Sequence, residues 1–525
     1  MYRKLKYSAI LIILVSFQGM AQRIGYDWIK SFGNIDAAFS MIDLDNNIII
    51  AGSFTGTLTF GDQTVTSVGN NTSIFLAKFD NQGNVAWIVS DTLYKVEDIA
   101  VDRNGNIYLT ATIKHYSLTG SIFKTVSYIY VAKFDKSGNK MWISTSAEQT
   151  LDKPGGNQAT SITCDSEGSV YITGYYINSL SFGSQHLENG SIYVAKFDST
   201  GFPVWLKNIS GVNTQIGNYQ GVGNDILVDR NGQLFITGYF RVSKANYIFL
   251  IRLNTNGDPQ NLTQIIGSDR TSGERLQSDN DGNLYLAAIF NGIVTVNGKD
   301  YKAAEGGNNP VIFKFLNDSI VTVTHIEVYV AQSIIDRDFC IDDNQNLFYI
   351  ASIMKDFIYY PTIMRFDSLG NLVQQQEIAQ SYTKYFAVLT SINHDTSGNL
   401  FLTGLLMQMA YFGDSLVGFP NDHSSAFIGK INFDEVYNGI PYLEKENDVI
   451  IIYPSVTRES ICIESYSENL SNKEMKIYNS AGKMVQQATL SSNKTWINIS
   501  GISQGIYFVE ISSNGFRETH KIVKL

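Results

Sequence analysis

The sequence predicts an all-β chain in two unequal parts, and three observations carry that prediction. Aromatic residues are abundant and proline is scarce: 30 Tyr, 30 Phe and 43 Gly stand against 8 Pro in 525 residues. Rings and β-branched side chains suit a pleated, half-buried surface, and glycines suit the tight turns between strands. A short motif recurs seven times, each copy followed by a second motif. After Asp434 both motifs stop, and a different strand-rich segment runs to Leu525.

Composition excludes several classes. Charged residues make up 17% and aromatics 12% of the chain, the reverse of a disordered balance. The length exceeds one typical domain. The formal charge is -10; without residues 1–21, which hold Arg3, Lys4 and Lys6 and no acid, it is about -13. No cluster of Lys and Arg stands out in that mature chain, which argues against nucleic acid and anionic lipid as partners.

The N-terminus has the three parts of a secretory signal peptide, cut after Ala21. Arg3, Lys4 and Lys6 are its basic region, Ala9 to Phe17 its short apolar core, and Gly19 and Ala21 its small residues before the cut. No later stretch reaches the ~18 apolar residues of a spanning helix, so no transmembrane segment is expected in the mature chain. Cys164, Cys340 and Cys462 are odd in number and scattered between two repeats and the tail, and read as small buried hydrophobes.

The first motif is Asp, two variable residues, Gly or a substitute, a mostly polar residue, then alternating apolar residues. Its copies begin at Asp43, Asp102, Asp165, Asp229, Asp279, Asp342 and Asp395, spaced by 59, 63, 64, 50, 63 and 53 residues. The second is clearest as Ala77-Lys-Phe-Asp-Asn-Gln-Gly-Asn-Val-Ala-Trp87, and again at Ala132 to Trp142 and Ala195 to Trp205. It weakens through Arg252-Leu-Asn, Lys314-Phe-Leu, Arg365-Phe-Asp and Lys430-Ile-Asn. An Asp opening a turn with Gly three residues on predicts a type I turn with a glycine bulge between antiparallel strands. Asn46 replaces that Gly in the first copy and tolerates the left-handed region; Gln345 in the sixth is a poorer substitute and predicts a distorted turn. Two hairpins per unit of roughly 50–60 residues, seven times over, describe a seven-bladed β-propeller over 22–434. The seventh unit lacks a Trp-led fourth strand, and Trp28-Ile-Lys-Ser-Phe-Gly33 is expected to supply it, closing the ring by pairing near 426–432.

These repeats resemble the bacterial seven-bladed β-propeller repeat family over about residues 23–435, best at Asp165 to Gly174 and Ala195 to Trp205. The resemblance implies the fold and an extracytoplasmic setting, with no single activity. Residues 435–449 read as a linker. Residues 450–525 resemble the type A sorting domain of the type IX secretion system, at Tyr453-Pro454, Lys476 to Val485, Ile497 to Ser500, Gly505 to Ile511 and Lys521 to Lys524. Ser455-Val456 stand where the family continues Asn-Pro. The resemblance implies a small immunoglobulin-like β-sandwich read by an outer-membrane translocon, then removed or exchanged for a surface anchor.

No motif assembles a catalytic constellation. Gly501-Ile-Ser-Gln-Gly505 fits a nucleophile elbow, but an alternating strand follows where a helix is needed. Asp279-Asn-Asp-Gly-Asn283 and Asp43-Leu-Asp45 hint at calcium, yet Gln277 stands at the first ligand position and no suitable Glu follows, so both read as turns. His115, His186, His325, His394, His423 and His520 are scattered, with His394 at a solvent edge. Lys153-Pro-Gly-Gly156 and Gly221-Val-Gly223 lack phosphate-loop spacing. Trp28, Trp87, Trp142 and Trp205 sit at fixed places in the repeat and read as packing between blades rather than sugar platforms. Catalytic, cofactor and metal residues are therefore none, no cofactor is expected, and ligand-binding residues are unknown. The expected function is a secreted or cell-surface binding or adhesion protein with a polysaccharide or protein ligand. The alternatives are a carbohydrate-active lyase or hydrolase on a propeller scaffold, and a structural component of a surface assembly.

Overall fold

The computed structural model describes residues 23–437 and 450–524, apart from 34, 70–71, 93–94, 120–121, 148–155, 210–219, 243–244, 304–308, 327–337, 356–357, 382–386, 408, 413–414, 419–424, 454–455, 458, 466–469, 472 and 514–515. The signal segment 1–21, positions 438–449 of the expected linker, His423 and Lys153 to Gly155 lie outside the described residues. Every regular element among the described residues is a strand. Contacts separate a large unit, Gln22–Asn438, from a tail unit containing Gly439–Leu525.

In the large unit the described residues form seven four-stranded antiparallel sheets. Their first strands are Ile35–Ile42, Lys95–Val101, Gln158–Cys164, Gln220–Val228, Thr271–Ser278, Phe339–Ile341 and Ala387–His394. Each first strand touches the next, and the seventh touches the first, so the sheets stand in a closed, propeller-like ring. Middle strands are packed on both faces, as Ile48–Phe54 shows by being buried throughout. The outer strand Lys140–Thr145 instead alternates exposed and half-buried residues. Burying each large apolar side chain contributes about 1.5–3 kcal/mol, which makes the faces between sheets the main source of stability.

Local chemistry sets the hairpins. At Asp80 the Gly83 N–H donates to the Asp80 carbonyl and the Asp80 N–H to Asn84, both at 2.9 Å. The Asp80 carboxylate accepts the N–H groups of Gln82 and Asn84 at 2.9 and 2.8 Å. Gly83 takes a φ of 75°, and the pairing register shifts at Lys78/Phe79, the bulge expected of such a turn. Asn46 and Gln345 also adopt positive φ, 59° and 60°. The turn at Gln345 is not distorted: its N–H reaches the Asp342 carbonyl at 2.9 Å, as the glycine turns do. Its side chain offsets the left-handed cost of about 1 kcal/mol by donating to Asp281 of the preceding sheet and accepting from Lys314.

The strand Arg23–Gly33 pairs antiparallel with Ser425–Tyr437, matching Trp28 to Lys430, Phe32 to Ala426 and Gly33 to Ser425. It is thus the outer strand of the seventh sheet, contributed from the other end of the unit. Ser425–Tyr437 runs three residues past Asp434, into the segment read as linker.

The tail unit has two sheets around one core. Ile450–Tyr453, Ser460–Ser465 and Lys494–Asn498 form one; Val456–Thr457, Phe516–Lys524, Gly505–Ser513, Glu474–Asn479 and Met484–Thr489 form the other. Ile452, Ile461, Ile463, Met475, Ile477, Val509, Ile511 and Ile522 fill the space between them.

Candidate functional site

The ring brings together residues that share one place in the repeat. Counting back four residues from each turn aspartate gives Phe39, Asp98, Ser161, Asp225, Arg275, Asp338 and Ser391. In five of the sheets a one-residue bulge directly precedes this position, at Glu97, Thr160, Asn224, Glu274 and Thr390. A bulge re-aims the following side chain. Here the side chains converge from different sheets: Arg275 lies 3.6, 3.5 and 3.4 Å from Asp98, Asp225 and Asp338. Asp98 Oδ2 also accepts from the Ile162 N–H at 3.1 Å, Asp225 Oδ2 from the Leu276 N–H at 2.6 Å and Asp338 Oδ2 from the Ile392 N–H at 3.1 Å. Ser391 Oγ donates to Asp338 Oδ2 at 2.9 Å.

Burial decides the ionisation of this hub. Desolvation pushes the Asp225 carboxyl up to about 6, against the pull of Arg275, and pushes Asp98 up as well. Burial alone would lower Arg275, but Asp98, Asp225 and Asp338 together hold its guanidinium firmly charged. Ser161 Oγ lies 2.8 Å from Asp98 Oδ2 and 2.6 Å from Asp225 Oδ1. One hydroxyl has one proton, so Ser161 donates to either carboxylate in turn. The hub is therefore a brace whose oxygens are already engaged by a cation, hydroxyls and main-chain amides. Sequence inspection missed it because the fixed offset from each turn links residues of unlike type.

The tryptophans join neighbouring sheets. The indole N–H groups of Trp28, Trp87, Trp142 and Trp205 donate to the carbonyls of Asn81, Lys136, Ser199 and Thr255 at 3.0–3.3 Å. Each ring lies against the turn glycine of the next sheet: Gly83, Gly138, Gly201 and Gly257. A Cβ on Gly201 would stand 2.6 Å from the Trp142 ring.

An open cavity of about 450 Å³ lies where the third and fourth sheets meet. Tyr175, Asn178, Asn189, Tyr239 and Arg241 line it, with Ile177 beside them. It is at the end of the strands away from the Asp165 and Asp198 turns, since Val170 pairs with Phe197 at the turn end and Tyr175 with Ile192 at the other.

The remaining motif residues stay apart. Gly505 opens the strand Gly505–Ser513, so no elbow forms. The Asp279 carboxylate accepts from Asp281, Asn283 and Tyr285 within its own turn. Gly221 and Gly223 lie inside the strand Gln220–Val228. His186 contacts Ser181 and Glu188, His325 packs on Phe290 and Tyr301, and the His394 ring lies 3.2 Å from the Asp395 carbonyl. His520 is in the tail, and the His115 side chain is outside the described residues. The three cysteines are unbridged; burial pushes the Cys164 thiol up to about 12. Among the described residues no three His, Cys, Asp or Glu gather in a metal-holding geometry.

Residues 451–525 match the family described as secretion system C-terminal sorting domain, and residues 88–118 match the β-propeller repeat family. The chain ends in a type IX sorting domain. A sorting domain of this system directs the chain to the cell surface or the extracellular space and engages the secretion machinery. No helix among the described residues is long and apolar enough to cross a membrane. The chain is similar to an uncharacterised WD repeat-containing protein of Acanthamoeba polyphaga mimivirus, 24% identical over 271 residues, 41% of this chain. That match spans 19% of the relative's length. Solved structures of similar shape include the C-terminal WD40 domain of Sif2, at 9% identity and TM-score 0.39, covering 78% of this chain and 99% of that one. The Dos1 propeller, at 11% and 0.40, covers 78% and 95%. These likenesses concern shape and say nothing of activity.

Proposed function

We propose that residues 22–434 form a seven-bladed β-propeller closed by the strand 28–33, exported behind a signal peptide at 1–21. A linker at 435–449 joins it to an immunoglobulin-like sorting domain at 450–525. Its work at the cell surface is to bind a polysaccharide or protein ligand. The state of the acids carries this reading over catalysis. The carboxylates gathered round Arg275, those of Asp98, Asp225 and Asp338, are engaged by that guanidinium, by Ser161 and Ser391 and by main-chain amides. A lytic or hydrolytic site needs an acid or base able to reach substrate. The open cavity instead offers tyrosines, amides and a guanidinium, groups that hold a ligand.

The test screens the purified protein on a glycan and protein array and assays it for turnover against the same polysaccharides and peptides. Binding without turnover is expected. Turnover abolished by a single acid or histidine substitution overturns the reading.

A further inference from the structure

Departures from the repeat single out one seam. The position ten residues after each turn aspartate holds Ser53, Thr112, Tyr175, Tyr239, Ile289, Ser352 and Leu405. Tyrosine stands there only in the third and fourth copies, whose sheets are neighbours. The position twelve residues after holds Thr55, Lys114, Ile177, Arg241, Asn291, Met354 and Met407, so a guanidinium occurs there once. Residues that the fold needs in every sheet recur in the repeat, as Gly83, Gly138 and Gly201 do. Two tyrosines and an arginine confined to one seam serve no requirement of the repeat.

The structure gathers these three side chains around the 450 Å³ cavity, a size suited to a small ligand. Tyr239 and Arg241 are two residues apart on the strand Leu234–Val242 and so share a face. Tyr175 is half-buried, its hydroxyl held by Gln158 at 3.0 Å, which fixes its ring. Asn178 and Asn189, both exposed, turn at φ 66° and 67° at the rim, where the Gly190 N–H donates to the Asn178 carbonyl at 3.3 Å. Arg241 is exposed and has no ion pair among the described residues, whereas Arg252 is held by Asp318 at 2.8 Å and Arg275 by three acids. An unneutralised guanidinium beside aromatic rings attracts an anion with an apolar face.

We propose that this cavity is a subsite for an anionic sugar residue of a polysaccharide. Arg241 takes the carboxylate or sulfate through paired N–H donors. Tyr175 and Tyr239 present ring surface to the C–H face of the sugar, and Asn178 and Asn189 supply amide donors and acceptors to its hydroxyls. The proposal rests on the reading of the ring as a binding unit and adds the ligand's chemical class.

The test is titration calorimetry on the full exported protein with four probes: an oligouronate, a sulfated oligosaccharide, a neutral oligosaccharide of equal length and polyglutamate. The parent protein is expected to bind one or both anionic sugars more tightly than the other two, and less tightly at high salt. Whether carboxylate or sulfate is the native group follows from which binds tighter. Arg241→Gln is expected to weaken that binding about tenfold or more and to remove its salt dependence. Tyr239→Ala is expected to weaken it with the salt dependence retained, while Arg230→Gln, at the turn end of the strands, leaves it unchanged. Equal affinity for polyglutamate overturns the sugar class. Anionic sugars that bind parent and Arg241→Gln alike overturn the site and leave the binding function standing. A parent that ignores all four probes but captures another ligand on the array overturns the proposal alone. A parent blank on both overturns the binding function with it.

Discussion

The indole N–H of Trp28 donates to the main-chain carbonyl of Asn81 at 3.1 Å, and its ring lies over Gly83. Trp28 belongs to the outer strand of the seventh sheet, while Asn81 and Gly83 form a turn of the first. The seam between the two ends of the ring therefore carries the same indole clasp as the seams at Trp87, Trp142 and Trp205. An open ring would expose a sheet edge and an apolar face there. Trp28→Ala is expected to cost about 2–4 kcal/mol by urea denaturation followed by circular dichroism. Deleting residues 22–33 should destabilise the whole unit far more than deleting an equally long exposed loop. A deletion that leaves the midpoint in place would contradict the closing role.

The glycines under the indoles separate backbone strain from packing. Gly232 has φ 75° and open space around its missing Cβ, so Gly232→Ala should cost only the left-handed strain, about 1 kcal/mol. Gly201 has φ 86° and the Trp142 ring in the way, so Gly201→Ala should cost at least about 1 kcal/mol more. In the Trp142→Ala background that excess is expected to vanish. An excess that persists would show that the ring is not what Gly201 accommodates.

Asp225 gives the ring a defined pH response. Its folded-state pKa, about 6, stands above its ordinary 3.8, so folding favours the protonated form. That contribution is complete below about pH 4 and is lost as pH rises through about 6, a change of about 3 kcal/mol. Turn aspartates such as Asp135 and Asp198 are shifted the other way, by the Asn139 and Thr200 side chains first, and lose their contribution as pH falls below their ordinary range. Denaturation midpoints should therefore be highest in mild acid, and Asp225→Asn should flatten the slope between pH 4 and 6. An unchanged slope in that variant would reject the assignment.

Arg275→Met removes the cation shared by three acids. A loss of about 3–5 kcal/mol is expected at neutral pH, since the carboxylates stay buried without their partner. The loss should shrink near pH 5, where Asp225 takes up a proton. A variant equally unstable at both values would indicate that Arg275 contributes packing rather than charge.

Deleting residues 450–525 should leave the ring folded but retained in the periplasm. Cell fractionation reads the outcome. Appearance of the truncated chain at the surface or in the medium would contradict the part assigned to the tail.

The sequence by itself determined what depends on neighbours along the chain. Asp43 to Asp395 mark turns because an Asp accepts N–H groups two and four residues on and the residue three on, glycine in five of the seven, takes positive φ. The matches at Tyr453 and at Gly505 to Ile511 identify the sorting tail for the same reason. Gln345 shows where local reasoning stops: judged alone it should distort its turn, yet Asp281 and Lys314 on the preceding sheet hold it in the glycine conformation. The tertiary structure alone decided the rest. Arg275 meets Asp98, Asp225 and Asp338 because separate sheets, with bulges beside Asp98, Asp225 and Arg275, bring these side chains to one point, and spacing along a chain does not reveal which faces converge. Tyr175, Tyr239 and Arg241 likewise define a site only once two sheets pack side by side. Turns are fixed by bonds spanning a few residues, whereas sites are fixed by how sheets dozens of residues apart close on one another.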